Sequence, residues 1–580
     1  MRRAKQLYYR SQFSKNASNP KRLWEDLLEA INKRKAHVNL PNSFESNNRM
    51  VSSPEVVARQ FNDYYSQVAP TLDAALGPCS VDPLSYLNDV RVSETLVFQP
   101  IGQGAILGIV AGLKDTGAGL DGINSKLLKQ LIPAIVPHLT HLVNTCLLNN
   151  TFPAMLKTAL ITPIYKTGSR ALFSNYRPIS VLPIISKILE SVIYNQVLSF
   201  IAENEIIFDY QFGFRAKHST YMPICLLHDS ITSNLVDGCT TAGVYLDLAR
   251  AFDTVKSDIL LSKLSKYGIR GNALDLFSSY LSGRKQCLKY KDVVSDLIDI
   301  SCGVPQGSVL GPILFLLYIN DLPKVCDEAK FFLFADDTAI LYSAQTLNEL
   351  QLTISRSFPK VVLWLHANRL SLSTSKTFYQ LYGSGNVESA VLSIPVKGVN
   401  LKRAPTVKYL GVLVDEDLKF KSHINKVSGL ISRNLGIMSR ARYLLNKKLL
   451  ILLYNSLVLP YLSYCLLIWG SNYESNLNPI VIAQKRAIRL IAGVGRFSHT
   501  SPLFRELELL KFHDIINKQL LLLMHNCLFG RLPAVISDKF SLHNQSRPSR
   551  SVRHFSESVT SGTGDMVPNY RLTNYRLFFL

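Results

Sequence analysis

The pattern of apolar and polar positions is sharpest at residues 331–342, FFLFADDTAILY. Phe331, Phe332, Leu333 and Phe334 precede Ala335, and Ala339, Ile340, Leu341 and Tyr342 follow Thr338. Runs of this length suit two buried strands better than one helix. A tight turn carrying Asp336 and Asp337 would join them into a hairpin. A second short apolar run, in VYLDLARAFDTV, ends at Asp247. Helical spacing is found in Asn19–Lys35, where Leu23, Leu27, Leu28 and Ile31 share a face behind Asn19 and Pro20, and in Val51–Val68, opened by Ser53 and Pro54. Ser257–Tyr267 has an apolar helical face and stops at Gly268. Residues 301–316 read as a turn and then a buried helix, with Gly303, Pro305 and Gly307 permitting the sharp entry and Ser308 as N-cap. Leu449–Trp469 carries no charge over 21 residues and is a stretch a hydropathy scan would flag as a membrane span. Asn455, Pro460 and the flanking aromatics instead fit two buried helices broken near the proline.

Composition narrows the class. At 580 residues and 47% hydrophobic the chain is long enough for two to four domains with a substantial core, and it is not a disordered chain. A formal charge of +22 points to a polyanionic partner, nucleic acid first among them, although a basic surface that only keeps a protein soluble would look the same. The nine cysteines are scattered, without zinc-ligand spacing, and read as free thiols in a reducing compartment. The N-terminus, MRRAKQLYYRSQF, has no apolar core and is not a secretory signal, so an intracellular site, nucleus or cytoplasm, is expected, with no membrane partner.

The chemistry lies in the aspartates. Two carboxylates at one hairpin tip repel unless a cation neutralises them, and a hard divalent ion held by oxygens, Mg²⁺ above all, is the natural candidate. An ordinary Asp-rich turn would have the same residues. If the strand ending in Asp247 lies beside the hairpin, three carboxylates meet, the set that two metal ions need to clamp a phosphoryl displacement.

LDLARAFDTV, GVPQGSVLGPILF and FADD, in this order and spacing, resemble motifs A, B and C of reverse transcriptases, most closely those of jockey-like non-LTR retrotransposons. The resemblance implies an α+β right-hand polymerase: fingers, an antiparallel ferredoxin-like palm sheet, and a helical thumb with a C-terminal extension. It implies an RNA-directed DNA polymerase that uses an RNA template, a DNA primer or target and dNTPs, with two Mg²⁺ ions for which Mn²⁺ could stand in. Asp247, Asp336 and Asp337 would be the metal-binding and catalytic residues, and Lys376, in a motif D-like stretch, the general acid. Lys166, Arg177 and Arg215 would grip the triphosphate, unless they are surface charge. Phe252 would exclude a 2′-hydroxyl, Gln306 and Gly307 would line the nucleotide pocket, and Asp253 would cap or anchor the next helix. Tyr409, Leu410 and Gly411 would form a hairpin cradling the primer end.

The expected organisation is a helical linker region at 1–95, then fingers and palm at 96–420 with motifs A, B and C at 244–255, 301–316 and 331–342. A helical thumb and extension follow at 421–535, with an irregular basic tail at 536–580. The family's polyprotein has an upstream endonuclease that nothing here resembles, so the chain reads as a truncated copy, a fragment or a mispredicted frame, needing an endonuclease from elsewhere. The alternative is a catalytically silent nucleic-acid-binding relic of a transposon polyprotein.

Overall fold

The computed structural model describes residues 2–16, 19–30, 40–46, 49–89, 92–115, 117–383, 387, 389–542 and 570–571. The expected irregular tail falls outside these residues beyond 542, apart from a two-residue strand, Tyr570–Arg571. The chain divides into two compact units: one of Val38–Phe214 and Asn234–Ala404, the other of Met1–His37, Arg215–Ser233 and Pro405–Leu580.

The first unit contains, in order, α1 (Pro54–Leu76), α2 (Ser125–Leu148), β1 (Thr158–Tyr165), β2 (Tyr176–Val181), α3 (Ile184–Glu203), β3 (Thr240–Leu246), α4 (Ser257–Lys266), β4 (Arg284–Tyr290), β5 (Ile298–Ile300), α5 (Leu310–Ile319), β6 (Ala329–Phe334), β7 (Asp337–Ala344), α6 (Leu347–Ala367), β8 (Phe378–Tyr382) and β9 (Lys402–Arg403). One sheet has the order β9-β8-β3-β7-β6. Its strands pair antiparallel, with Tyr245 opposite both Ala339 and Phe378, except that the edge pair β8–β9 is parallel. The sheet is therefore mixed and not wholly antiparallel, because the chain leaves β8 and returns to its outer edge in the same direction. The second sheet runs β2-β1-β4 with the short strand Val293–Val294 at its edge, and β5 also pairs with β4. Packed on it, α1 shares an aromatic core in which Phe61 lies 4.4 Å from Phe173 and Phe44 stacks on Phe173 at 5.2 Å.

The first unit is centred on α5, where every residue but Pro312 is buried. A helix apolar on all sides has no solvent face to offer and belongs inside a core. Against the first sheet lies α6, opened by a capping box between Thr346 and Glu349 and burying Leu350, Ile354, Phe358, Val361 and Trp364. Among the described residues two helices are long and apolar enough to cross a membrane, α2 and α3, and both bury residues in this same core. The stretch 449–469 breaks instead into three short helices, Lys447–Leu457, Leu459–Ser463 and Leu466–Trp469, with the extra break at Cys465, whose φ is 50°.

In the second unit, β10 (Thr406–Tyr409) and β11 (Val412–Asp415) form a hairpin that leads into α7 (Lys421–Ala441). The hairpin belongs with the helices because Leu413 N donates to His423 Nδ1 and Ser422 N to Asp415 Oδ2, so the division falls at 404/405 and not at 420/421. Residues 1–95 are likewise split: α1 joins the first unit, where Asn62 is bonded to Gln286 and Ser295, and the helices Arg2–Lys15 and Pro20–Ala30 join the second. Lys421, Lys426, Arg433 and Arg440 of α7 and Arg442 just after it are all exposed. All nine cysteines are free.

One ion pair is sealed in the first unit. Lys263 of α4 and Asp321 are both fully buried. The ammonium also donates to Tyr318 O at 2.8 Å and lies 4.7 Å from the Trp364 ring, while Trp364 Nε1 donates to the other Asp321 oxygen at 2.9 Å. Removing one partner of such a pair leaves an uncompensated buried charge. Lys263→Met is expected to cost about 3–5 kcal/mol of unfolding free energy, read from urea unfolding followed by tryptophan fluorescence. A loss under about 1 kcal/mol would mean the pair holds nothing together.

Candidate active site

The strand pair β6–β7 is joined by a two-residue turn at Ala335 and Asp336, and Asp337 is the first residue of β7, opposite Phe334. The turn thus sits one residue earlier than a turn carrying both aspartates. Ala335 takes φ 56°, a left-handed conformation that a small side chain tolerates best, and its amide donates to Gln211 Oε1 at 2.9 Å. The same oxygen accepts from Gly213 N at 2.9 Å, and Leu333 exchanges backbone bonds with Tyr210 and Phe212. A Cβ on Gly213 would lie 2.5 Å from Ala335 N. The turn is thus gripped by residues 210–213, a role the sequence reading did not assign to Gln211 or Gly213. The hint was present: a polar residue and a glycine in an otherwise apolar run.

Neighbouring β3 brings the third carboxylate. Its register with β7 ends at Leu246 opposite Thr338, so Asp247 follows at the same sheet end as Asp337. Asp247 is tied down by its own backbone, with its N–H donating to Thr377 Oγ1 at 3.2 Å and its carbonyl accepting from Ser373 N at 2.9 Å. Asp336 is held above the ordinary carboxylate range, first by loss of hydration and then by the charge of Asp247, with Arg177 and Lys166 opposing. Asp337 is pushed to about 6 by loss of hydration and then by Asp336 and Asp247. The three carboxylates thus share one field. They do not converge on a point: among the described residues no three His, Cys, Asp or Glu side chains stand close enough together to hold a metal ion. Asp247 is instead 3.8 Å from Lys376 Nζ. An all-oxygen donor set carrying mutual repulsion nonetheless has the chemistry a hard divalent cation requires.

The basic side of the site is contributed by the second sheet. Lys166 follows the end of β1 and Arg177 lies in β2 opposite Ile164, both exposed. Lys166 is lowered by partial desolvation, then by Arg177 and Lys376, with Asp247 acting against them, so these groups feel one another. Arg215 belongs to the second compact unit. Between the sheets, Arg250 has φ 54° and its Nη2 donates to Ser174 O and Tyr176 O, each at 3.2 Å. It was not singled out from the sequence, where it reads as one more surface charge.

Phe252 lies with its ring stacked on Phe315 of α5, centroids 4.4 Å apart, and the edge of Phe214 against it at 6.3 Å. Asp253 does not cap α4, whose N-cap is Lys256; its Oδ1 accepts from Gln306 Nε2 at 2.8 Å, with Arg250 Nη1 4.0 Å from the other oxygen. The turn holding Gln306 and Gly307 is clipped on both sides. Gly303 N donates to Val255 O and Val304 N to Phe252 O, while Ser180 N donates to Gln306 O at 2.8 Å. Side chains are excluded where backbones meet: a Cβ on Gly303 (φ 89°) would lie 2.6 Å from Asp253 O, and one on Gly307 (φ 129°) 2.5 Å from Ser180 O. Ser308 caps as expected, though onto Gly311 N at 3.0 Å.

In the second unit, Leu410 and Gly411 form the β10–β11 turn with φ 44° and 88°, the pair of positive values a tight hairpin needs. Tyr464 Oη donates to Leu410 O at 2.6 Å, and its ring lies under Gly411. Tyr409 is buried.

Residues 164–414 match the family of reverse transcriptases (RNA-dependent DNA polymerases). The matching stretch is of mixed helix and sheet. It is similar to the enzymes of non-LTR retrotransposons: 31% identical over 69% of its length to a probable RNA-directed DNA polymerase from transposon BS of Drosophila melanogaster, and 29% identical over 83% to that from transposon X-element of the same species. To the RNA-directed DNA polymerase from mobile element jockey of that fly it is 27% identical over 68%. The chain spans about half the length of these curated relatives, 45%, 52% and 44% in turn.

Burial pushes Asp253 up to about 6 against the opposing pull of Arg250 and Gln306. Its folded value lies above its ordinary 3.8, so its stabilising contribution is complete below about pH 4 and is lost as pH rises through about 6. Asp253→Asn keeps an acceptor for Gln306 and removes the titration. The fall in melting temperature between pH 4 and 7 should be smaller in this variant than in the wild type, and parallel melting curves would refute it.

Proposed function

We propose that the chain is an RNA-directed DNA polymerase of the non-LTR retrotransposon kind. One observation carries the reading: within a reverse transcriptase domain, Asp247, Asp336 and Asp337 occupy one sheet end and share an electrostatic field with Lys166 and Arg177. In this reading the β9-β8-β3-β7-β6 sheet is the palm, the β2-β1-β4 sheet belongs to the fingers, and the basic helices from α7 onward are the thumb that follows the duplex backbone. The three aspartates would hold a pair of divalent ions, Mg²⁺ first, with Mn²⁺ able to substitute. Those ions, when bound, acidify the primer 3′-hydroxyl and neutralise the triphosphate.

The remaining work falls to side chains of this chain. Lys166 and Arg177 grip the triphosphate of the incoming nucleotide. The primer oxygen bonds to the α-phosphorus as the bond to the β-phosphate oxygen breaks, and Lys376, beside Asp247, supplies a proton to the departing pyrophosphate. Phe252, immobilised on Phe315, puts a fixed ring where a ribose 2′-hydroxyl would collide. Gln306 and Gly307 line the pocket for the nucleotide, and the Leu410–Gly411 turn supports the primer end. The template is RNA and the primer a nicked DNA end, all inside the cell.

Primer extension on poly(rA)/oligo(dT) with Mg²⁺ tests the reading directly. Wild type should extend, and Asp336→Asn should fall below roughly one hundredth of that rate, since even supporting residues around a metal cost 10–100-fold. Duplex binding should survive in the variant. Absence of extension by the wild type, with the duplex still bound, would leave a nucleic-acid-binding relic. Phe252→Val should raise ribonucleotide incorporation by roughly tenfold or more, the scale of one steric contact; unchanged discrimination would remove the gate.

A further inference from the structure

The buried carboxylate of Glu190 has no part in the chemistry described so far. It is fully buried on α3, in the middle of an apolar core. A carboxylate is retained in such a place only if donors satisfy it. Its Oε2 accepts from Val309 N at 2.6 Å and Leu310 N at 3.1 Å, with Tyr280 Oη at 3.4 Å, and its Oε1 accepts from Ser186 Oγ at 3.0 Å.

Val309 and Leu310 open α5, the helix that follows the Gln306–Gly307 turn. A helix start leaves up to four N–H groups without partners, and here each is accounted for. Val309 and Leu310 give theirs to Glu190, Gly311 gives its own to Ser308 Oγ, and Pro312 has none. The first turn of α5 contains no acidic residue and Val309 offers no side-chain cap. The acceptor that satisfies this end of the helix comes from a residue 119 positions earlier in the chain.

We propose that Glu190 is a positioning residue for the nucleotide pocket: from inside the core it fixes the start of α5, and through it the placement of Gln306 and Gly307. The turn has little freedom once that end is fixed. Ser308 Oγ donates to Pro305 O at 2.9 Å while capping Gly311, Ser180 N holds Gln306 O, and Asp253 holds the Gln306 amide. Glu190 sets the third side of this frame. The inference rests on the reading of Gln306 and Gly307 as pocket residues.

The test is Glu190→Gln, which keeps shape and one accepting oxygen but replaces the carboxyl group, with Glu190→Ala beside it. Two readouts are taken on the full chain: amide hydrogen exchange, and steady-state primer extension with varied dNTP. Exchange at Val309 and Leu310 should quicken roughly tenfold in Glu190→Gln, the scale of one weakened hydrogen bond, and more in Glu190→Ala, with residues 240–246 and 337–344 unchanged. The KM for dNTP should rise several-fold in Glu190→Gln at a kcat within about twofold, with affinity for the primer–template unchanged. A folded Glu190→Gln with wild-type exchange at 303–311 and wild-type KM overturns the proposal, as does a uniform loss of protection across the whole first unit. If Glu190→Ala does not fold, the glutamine variant decides alone. A wild type without extension would sink the polymerase reading, and the exchange data would still decide whether Glu190 holds the turn.

Discussion

Repulsion among like charges in a partly dehydrated place is the constraint around which the first unit is arranged. Three carboxylates at one sheet end disfavour one another, and each would relax by turning away if its backbone allowed. The backbone is therefore fixed from outside the sheet. Gln211 bonds the amide of Ala335, Thr377 and Ser373 bond the two ends of the Asp247 peptide, and Gly213 admits a backbone approach that any Cβ would block. Basic groups on the second sheet supply part of the compensation. What remains is a site that favours cations, with the geometry set by residues that never meet a substrate.

Much of this was legible in the sequence. The runs around FADD and before Asp247 became paired strands, the PQG stretch became a turn and a buried helix, and the Leu410–Gly411 pair became a tight hairpin turn. Local periodicity and turn chemistry decide such features, and both are written in contiguous residues. The single-residue shift of the Ala335–Asp336 turn shows the limit. Asp is the commoner turn residue, but the pairing of Asp337 with Phe334 and the bond from Gln211 make Ala335 the left-handed position. Likewise Asp253 reads as a helix cap in sequence and turns out to hold Gln306.

The polar residues that were not legible have something in common. Glu190, Gln211, Lys263 and Asp321 each lie in an apolar stretch, and each finds its partner far along the chain. Nothing in a local window reveals a partner more than fifty positions away, so such residues read as exceptions to a hydrophobic pattern. The tertiary structure gives them their role, joining elements whose relative placement the chemistry depends on. The division of the chain was hidden for the same reason. Residues 1–37 and 215–233 join a unit whose other members begin at Pro405.

The apolar, nearly wholly buried helix α5 has a bearing on how the protein comes to be made. Its ten residues, LGPILFLLYI, are covered by α3 and α4 from earlier in the chain, and the same core takes in Phe358, Trp364, Tyr379 and Leu381 from later. The central strand β3 waits longer, for partners at 338–344 and then at 378–382. A chain emerging from the ribosome must therefore hold an uncharged, sticky segment open until residue 381 has appeared, and one edge of β3 open for well over a hundred residues after the strand itself, a span on the order of ten seconds at ordinary rates of synthesis. Long-range pairing of this kind folds slowly and exposes edges meanwhile. The yield of active protein in a cell would then be governed by chaperone capacity and translation speed as much as by the stability of the finished fold.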